Sequence, residues 1–135
     1  MIRNLIINKL DVKCDERGWL AEILRKENLR EKYDFGQILI TVAKPGVTKG
    51  NHYHKRKHEW FCVVRGRGKL LLKDVTSDER QEVLMGDENM VVVKIPPNVT
   101  HAIQNIGDEM LYLLIYIDEP FNQQDPDTFP GKPNP

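Results

Sequence analysis

The chain has 135 residues, enough for one domain of ordinary size. Its 20 lysines and arginines balance 20 aspartates and glutamates for a formal charge of zero, which removes the net basic excess expected of a nucleic-acid or membrane-surface binder. Eight prolines and nine glycines argue for many turns and against a helical bundle, and two cysteines, Cys14 and Cys62, are too few for a disulfide framework and lack metal-type spacing.

The amino terminus carries no extended apolar stretch or small-residue cleavage site, so no signal peptide is expected. Strand-like runs then follow one another: Leu5–Leu10, Gly18–Leu24, Gln37–Ala43, Trp60–Val64, Lys69–Val75, Met90–Ile95, Ala102–Asn105 and Met110–Ile117. Each is short and rich in Val, Ile, Leu or aromatics, which suits strands better than helices. Only Arg25–Tyr33 has helix-forming composition. Pro45-Gly46, Gly66-Arg67-Gly68, Gly86-Asp87 and Pro96-Pro97-Asn98 are turn chemistry. Many short strands with such punctuation predict an all-β sandwich or small barrel. The longest apolar run, Met110 to Ile117, is far short of the roughly 20 residues a bilayer-crossing helix needs, so the expectation is a soluble cytoplasmic protein with reduced thiols. From Glu119 the chain turns polar and proline-rich; it reads either as a disordered tail or as an arm over the barrel mouth or a partner subunit, since Phe121 and Phe129 need somewhere to pack. The expected organisation is a single domain: N-terminal strands with a short helix or loop over 1–35, a barrel core over 36–118 and a tail over 119–135.

Chemistry concentrates between Gly46 and Gly66. His52 and His54 are two apart, so on a strand both imidazoles point to one side. Glu59 opens a return run after a short loop, and His101 follows Pro96-Pro97-Asn98. Three imidazoles and a carboxylate suit one divalent transition metal (Zn, Fe, Mn, Co or Ni). A His-x-His alone is equally the mark of a solvated pair. His58, one residue before Glu59, is expected on the opposite face and solvated. Lys55-Arg56-Lys57 reads as a solvated loop or as a basic rim suited to a nucleotide diphosphate. Gly66-Arg67-Gly68 precedes a strand and not a helix, which makes it a hairpin turn and not a phosphate loop. Cys62 alternates out of phase with Glu59 and is expected to pack between sheets or subunits.

The spacing of these residues resembles the cupin superfamily. Gly46, five residues, His52-Tyr53-His54, four residues, Glu59, six residues and Gly66 fill the first cupin motif. Pro96-Pro97-Asn98, His101 and Asn105 match the second, with Asn98 in place of glycine and Gly86 nine residues before Pro96 instead of five. Asn tolerates the left-handed backbone that a glycine would adopt. Asp15-Glu16-Arg17-Gly18-Trp19, Lys49 to Tyr53 and Ile95 to His101 further resemble the cupin-fold 3,5-epimerases of dTDP-4-keto-6-deoxy sugars. The stretch 44–54 (KPGVTKGNHYH) and the stretch 126–129 (PDTF) resemble the C-terminal cupin domain of bifunctional capsular-polysaccharide reductase/epimerases. On that resemblance the chain is the epimerase-like module without an attached reductase.

The resemblance implies a jelly-roll cupin, in which His52 is the base, His101 the second conserved histidine and Tyr116 or Tyr112 the acid. It implies Arg17, Trp19, Asn51 and Lys57 as contacts to a nucleotide-sugar substrate, with Arg17 reaching across a homodimer, and His52, His54, Glu59 and His101 as metal ligands. Trp19 reads equally as a stacking or a core residue. An imidazole lone pair committed to a metal cannot also accept a proton. Either the ion polarises the ketone while another group, such as His58, Tyr53 or a metal-bound hydroxide, moves the proton, or His52 acts alone at an empty site. Two other classes remain open: a metal-dependent dioxygenase or isomerase of a small acid, and a non-catalytic sugar-binding cupin.

Overall fold

The computed structural model describes residues 1–29 and 35–133. Their strands are β1 (Ile6–Lys9), β2 (Val12–Asp15), β3 (Gly18–Ala21), β4 (Gln37–Ala43), β5 (Thr48–Tyr53), β6 (Glu59–Arg65), β7 (Arg67–Asp74), β8 (Arg80–Gly86), β9 (Val91–Ile95), β10 (Val99–Asn105), β11 (Leu111–Ile117) and β12 (Phe129–Pro130). The all-β expectation holds. One five-stranded sheet runs β1-β9-β6-β11-β4, a second runs β12-β5-β10-β7-β8, and β2-β3 form a hairpin of their own. All of these pairs are antiparallel.

Strand parity sorts the first sheet. Phe61, Val63, Val91, Val93, Ile95, Leu111, Leu113, Ile115 and Ile117 join Leu70, Leu72, Val83, Met85, Val99 and Ile103 of the second sheet in one buried cluster. The even-numbered Trp60, Cys62, Val92 and Tyr116 form a second cluster on the outer face, with Met90, Leu10, Val12, Ile23, Leu24 and Leu29 against it. Cys62 is thus buried under the N-terminal segment, and burial pushes its thiol up to about 11. Because both faces of β6 and β11 are covered, these strands read as continuous apolar runs.

Four strands escape the hydrophobic pattern: β2, β5, β8 and β12. β5 is largely exposed, β8 is a sheet edge with exposed Arg80, Glu82 and Leu84, and β12 is only two residues long. The helix expected over Arg25–Tyr33 is not formed in its described part. Lys26–Asn28 make one 3-10 turn that ends at Leu29 in extended backbone. The Asn28 side chain takes the Arg25 N–H, and Arg25 pairs with Glu22 and Glu27, so local side-chain bonds replace a continued helix. Residues 30–34 of that expectation lie outside the described part.

Candidate functional site

Strand β5 carries one residue more than its partner. His52 faces His101 and Lys49 faces Ile103, so three steps on β5 match two on β10. The extra residue sits at Gly50-Asn51, both with positive φ (110° and 63°). A Cβ on Gly50 would lie 2.9 Å from the His101 carbonyl oxygen, so only glycine fits there. The bulge turns Lys49 and His52 to the same side, into a cavity of about 360 Å³ at one end of the core. The turn at Asn98 is left-handed (φ 64°), as expected for an asparagine in a glycine position.

Four expected ligand residues converge in that cavity. The ligand nitrogens of His52, His54 and His101 all lie within 4.8 Å of one another. Glu59 Oε1 is 2.8 Å from His54 Nε2 and 3.0 Å from His101 Nε2. His54 and His101 each donate their Nδ1–H to a carbonyl, that of Asp127 at 2.6 Å and that of Val99 at 3.0 Å. Each therefore turns a lone-pair Nε2 toward the carboxylate. Despite the short distances, the three facing atoms are buried without a hydrogen-bond partner, as follows when neither nitrogen carries a proton to give to the oxygen. Two lone pairs facing a carboxylate oxygen repel unless a positive centre lies among them. The three histidines could hold a metal ion, and nitrogen and oxygen donors without thiolate suit a first-row divalent cation.

The electrostatics follow from the same crowding. Burial, then the neighbouring His101 and His54, lowers His52 to about 4. Burial lowers His54 too, but Glu59 outweighs it and the net direction is up. Burial raises Glu59, while His101 and His54 overcome it and hold the carboxyl well below the usual range. The rest of the wall is mostly apolar, with Leu39, Phe61, Ile103, Leu113 and Ile115, and Lys49, Lys57 and Gln37 add polar groups. Another hollow of about 380 Å³, beside the N-terminal hairpin, is lined by Lys9, Lys13, Arg25 and Lys94. Among the described residues it holds no comparable convergence of imidazoles.

Other expected site residues fall elsewhere. Tyr116 packs against Trp60 on the outer face of the sheet, because it has the opposite parity to the cavity-lining Ile115 and Ile117. It is not placed to act as the acid, and Tyr112 shares its parity. His58 is partly buried and paired with Asp118 at 2.9 Å, not solvated, and like Tyr53 it does not line the cavity. Arg17 sits on the β2–β3 turn with its side chain 84% exposed and bound to Asp15 at 2.6 Å, and Trp19 beside it is 52% exposed. Neither residue reaches the cavity of its own chain. Asn51 is the bulge residue, and its carbonyl accepts from Gly131 N–H.

Lys55-Arg56-Lys57 is a docking point for the tail and not a solvated loop. Lys57 is buried, lines the cavity and donates Nζ–H to Pro126 O at 3.1 Å. Arg56 binds Glu119 at 2.6 Å, and Lys55 Nζ lies 4.2 Å above the Phe129 ring. The tail is an arm laid along β5, with Phe129 stacked on Tyr53 and Phe121 at the cavity. Residue reasoning missed Asp127, buried in that arm, and Lys49, which the bulge brings to the exposed rim of the cavity with its Nζ donating to Thr41 Oγ1.

Residues 13–129 match the family described as the polysaccharide biosynthesis C-terminal domain. The chain is 30% identical to the spore coat polysaccharide biosynthesis protein SpsL of Bacillus subtilis over 94% of its own length and 87% of that protein. It is 31% identical to a UDP-2-acetamido-2,6-beta-L-arabino-hexul-4-ose reductase of Pseudomonas aeruginosa, covering 85% of this chain and 29% of the reductase. The structure of the capsular polysaccharide assembling protein CapF of Staphylococcus aureus matches with TM-score 0.70 at 35% identity, over 91% of this chain and 34% of that one. The chain therefore spans about a third of these two larger proteins. A dTDP sugar isomerase from Desulfovibrio desulfuricans has the same fold, with TM-score 0.87 at 22% identity over 98% of this chain and 87% of that one. The architecture is that of the cupin-fold sugar enzymes.

Proposed function

The chain belongs to the polysaccharide biosynthesis C-terminal domain family, and from that premise we propose that it is an epimerase or isomerase of a nucleotide-linked 4-keto-6-deoxy sugar, with one divalent transition metal held by His52, His54, Glu59 and His101. The observation that carries this reading is the set of buried, hydrogen-bond-orphaned donor atoms of His54, Glu59 and His101 facing one another in a mostly apolar cavity. The fold shared with a dTDP sugar isomerase and the polysaccharide roles in the names of SpsL and CapF support the substrate class.

A bound ion would supply Lewis-acid polarisation of the substrate ketone. The chain's own residues do the rest. Burial and the neighbouring imidazoles lower His52 to about 4, so it stays neutral at working pH and would offer its lone pair to a bound ion or, at an ion-free site, to the proton beside the ketone. Lys57 and Lys49 bring positive charge to the cavity for an enolate oxygen or a diphosphate. Leu39, Ile103 and Leu113 exclude water and strengthen these interactions. The protein works in the cytoplasm as a homodimer, with Arg17 and Trp19 of one hairpin reaching the nucleotide held by the other subunit. A hairpin that forms its own sheet and exposes both side chains supports that geometry.

The test is incubation in heavy water with a 4-keto-6-deoxy sugar nucleotide. Solvent deuterium should enter beside the ketone with the wild type and fall at least a hundredfold with His52→Asn. Oxygen consumption with a small acid would instead favour a dioxygenase. Thermal stabilisation by the sugar with no exchange, metal restored, would favour a binding protein. Elemental analysis of untagged wild type and His54→Ala tests the ion separately, and equal metal content in the two would sink it.

A further inference from the structure

Asp127 is 5% exposed in a tail whose neighbours are largely solvent-facing. Its carboxylate accepts three successive backbone N–H groups: Lys55 at 2.9 Å, Arg56 at 3.0 Å and Lys57 at 3.1 Å. Its carbonyl accepts the His54 Nδ1–H at 2.6 Å. One residue thus ties down four consecutive ones, His54 to Lys57, from some seventy positions away. The stretch so clamped is the link between His54 and Glu59. Asp127 adopts a left-handed backbone (φ 47°) that aspartate tolerates better than most side chains.

His101 obtains the same kind of support locally, from the carbonyl of Val99 two residues earlier on its own strand. His54 takes its carbonyl from the far end of the chain. If His54 held its proton on Nε2, the bare Nδ1 would face the Asp127 oxygen, lone pair against lone pair. The carbonyl therefore selects the tautomer that leaves Nε2 bare toward the cavity, and the carboxylate holds that carbonyl in place. From this geometry we infer that Asp127 is a positioning residue for His54, so that the C-terminal arm is part of the functional site. The arm's other anchors, the Phe129–Tyr53 stack and the β12–β5 pairing, deliver Asp127 to the loop.

The tautomer part of this inference stands with or without a cation, whereas its effect on affinity rests on the metal reading above. The test compares the full-length wild type, Asp127→Ala, Asp127→Asn and Arg56→Ala. Long-range nitrogen–proton NMR of the imidazoles, in metal-free protein at alkaline pH, reads the tautomer. Titration with cobalt(II) reads affinity. In the wild type His54 should be protonated on Nδ1 alone. Asp127→Ala should give a mixture of tautomers and a ten- to hundredfold weaker cobalt(II) affinity. Asp127→Asn keeps one acceptor oxygen and should fall between, and it carries the test if the alanine variant does not fold. Arg56→Ala removes the ion pairs to Glu119 and Asp125 of the arm but leaves the Asp127 bonds in place, so it should keep the wild-type tautomer and lose less affinity than Asp127→Asn. A wild-type tautomer and affinity in both Asp127 variants would overturn the inference. If the wild type itself takes no cobalt(II), the metal reading fails, and the tautomer alone decides the role of Asp127.

Discussion

The two ends of this chain differ in what they join. The N-terminal hairpin, β2–β3, pairs with itself and leaves Trp19 and Leu20 52% and 61% exposed. The C-terminal arm is more polar and richer in proline, yet it buries Asp127, adds a strand beside the one that carries His52, and supports His54. Polarity therefore does not decide which end becomes structural. The arm is held because the loop at Lys55 to Lys57 presents three N–H groups that need an acceptor, and the Asp127 carboxylate meets all three. The hairpin meets its backbone needs internally, so its outward side chains stay available to another molecule.

The contrast can be broken most directly by ending the chain after Glu119. Loss of β12 and Asp127 should lower stability by about 3 kcal/mol or more and weaken metal uptake at least a hundredfold, read by denaturant midpoint and elemental analysis. An unchanged midpoint would show that the arm is only a passenger. Glu59→Gln leaves the arm intact and removes the charge between the two lone pairs; cobalt(II) affinity should fall about a hundredfold with little change in secondary structure by circular dichroism. Acid stability gives a smaller effect. His52 titrates near 4 in the folded chain against 6.5 for a free imidazole, so the unfolded chain binds the proton first as pH falls. Its burial then costs stability progressively from about pH 6.5 down to about pH 4, and His52→Asn should flatten that part of the curve in chelator-treated protein. The smallest change belongs to the hairpin. Arg17→Ala should shift stability by less than about 0.5 kcal/mol and leave metal content untouched, while KM for the nucleotide sugar rises about tenfold. Loss of metal in that variant would erase the distinction between the two ends.

What could be read in advance follows the physics of each region. The cluster of His52, His54, Glu59 and His101 is legible because these residues stand at motif spacing, and the fold brings them together. The core strands were legible from their apolar runs. Family resemblance points to Tyr116, yet parity opposes it: Leu113, Ile115 and Ile117 face inward, and a strand covered on both sides shows no alternation to reveal this. Strand β5 shows only through its histidine spacing and not through hydrophobicity, since little of it is buried and its bulge breaks the period. Asp127 lies in the 126–129 stretch whose family resemblance is visible in the sequence, but nothing there tells what its side chain does. An aspartate after a proline looks the same whether it faces water or three amide protons, and Phe121 and Phe129, in want of a surface, hint only that the segment is anchored.

The irregularity at Gly50-Asn51 reaches further than its two residues. Deleting Asn51 would restore an even ladder and carry Lys49 round to the solvent side while the histidines kept their places. The cavity rim would then lose the ammonium that now donates to Thr41 Oγ1, a change in the charge offered to any incoming anion made without altering one imidazole. Selectivity in this scaffold can thus be edited by counting residues along a strand as well as by exchanging them.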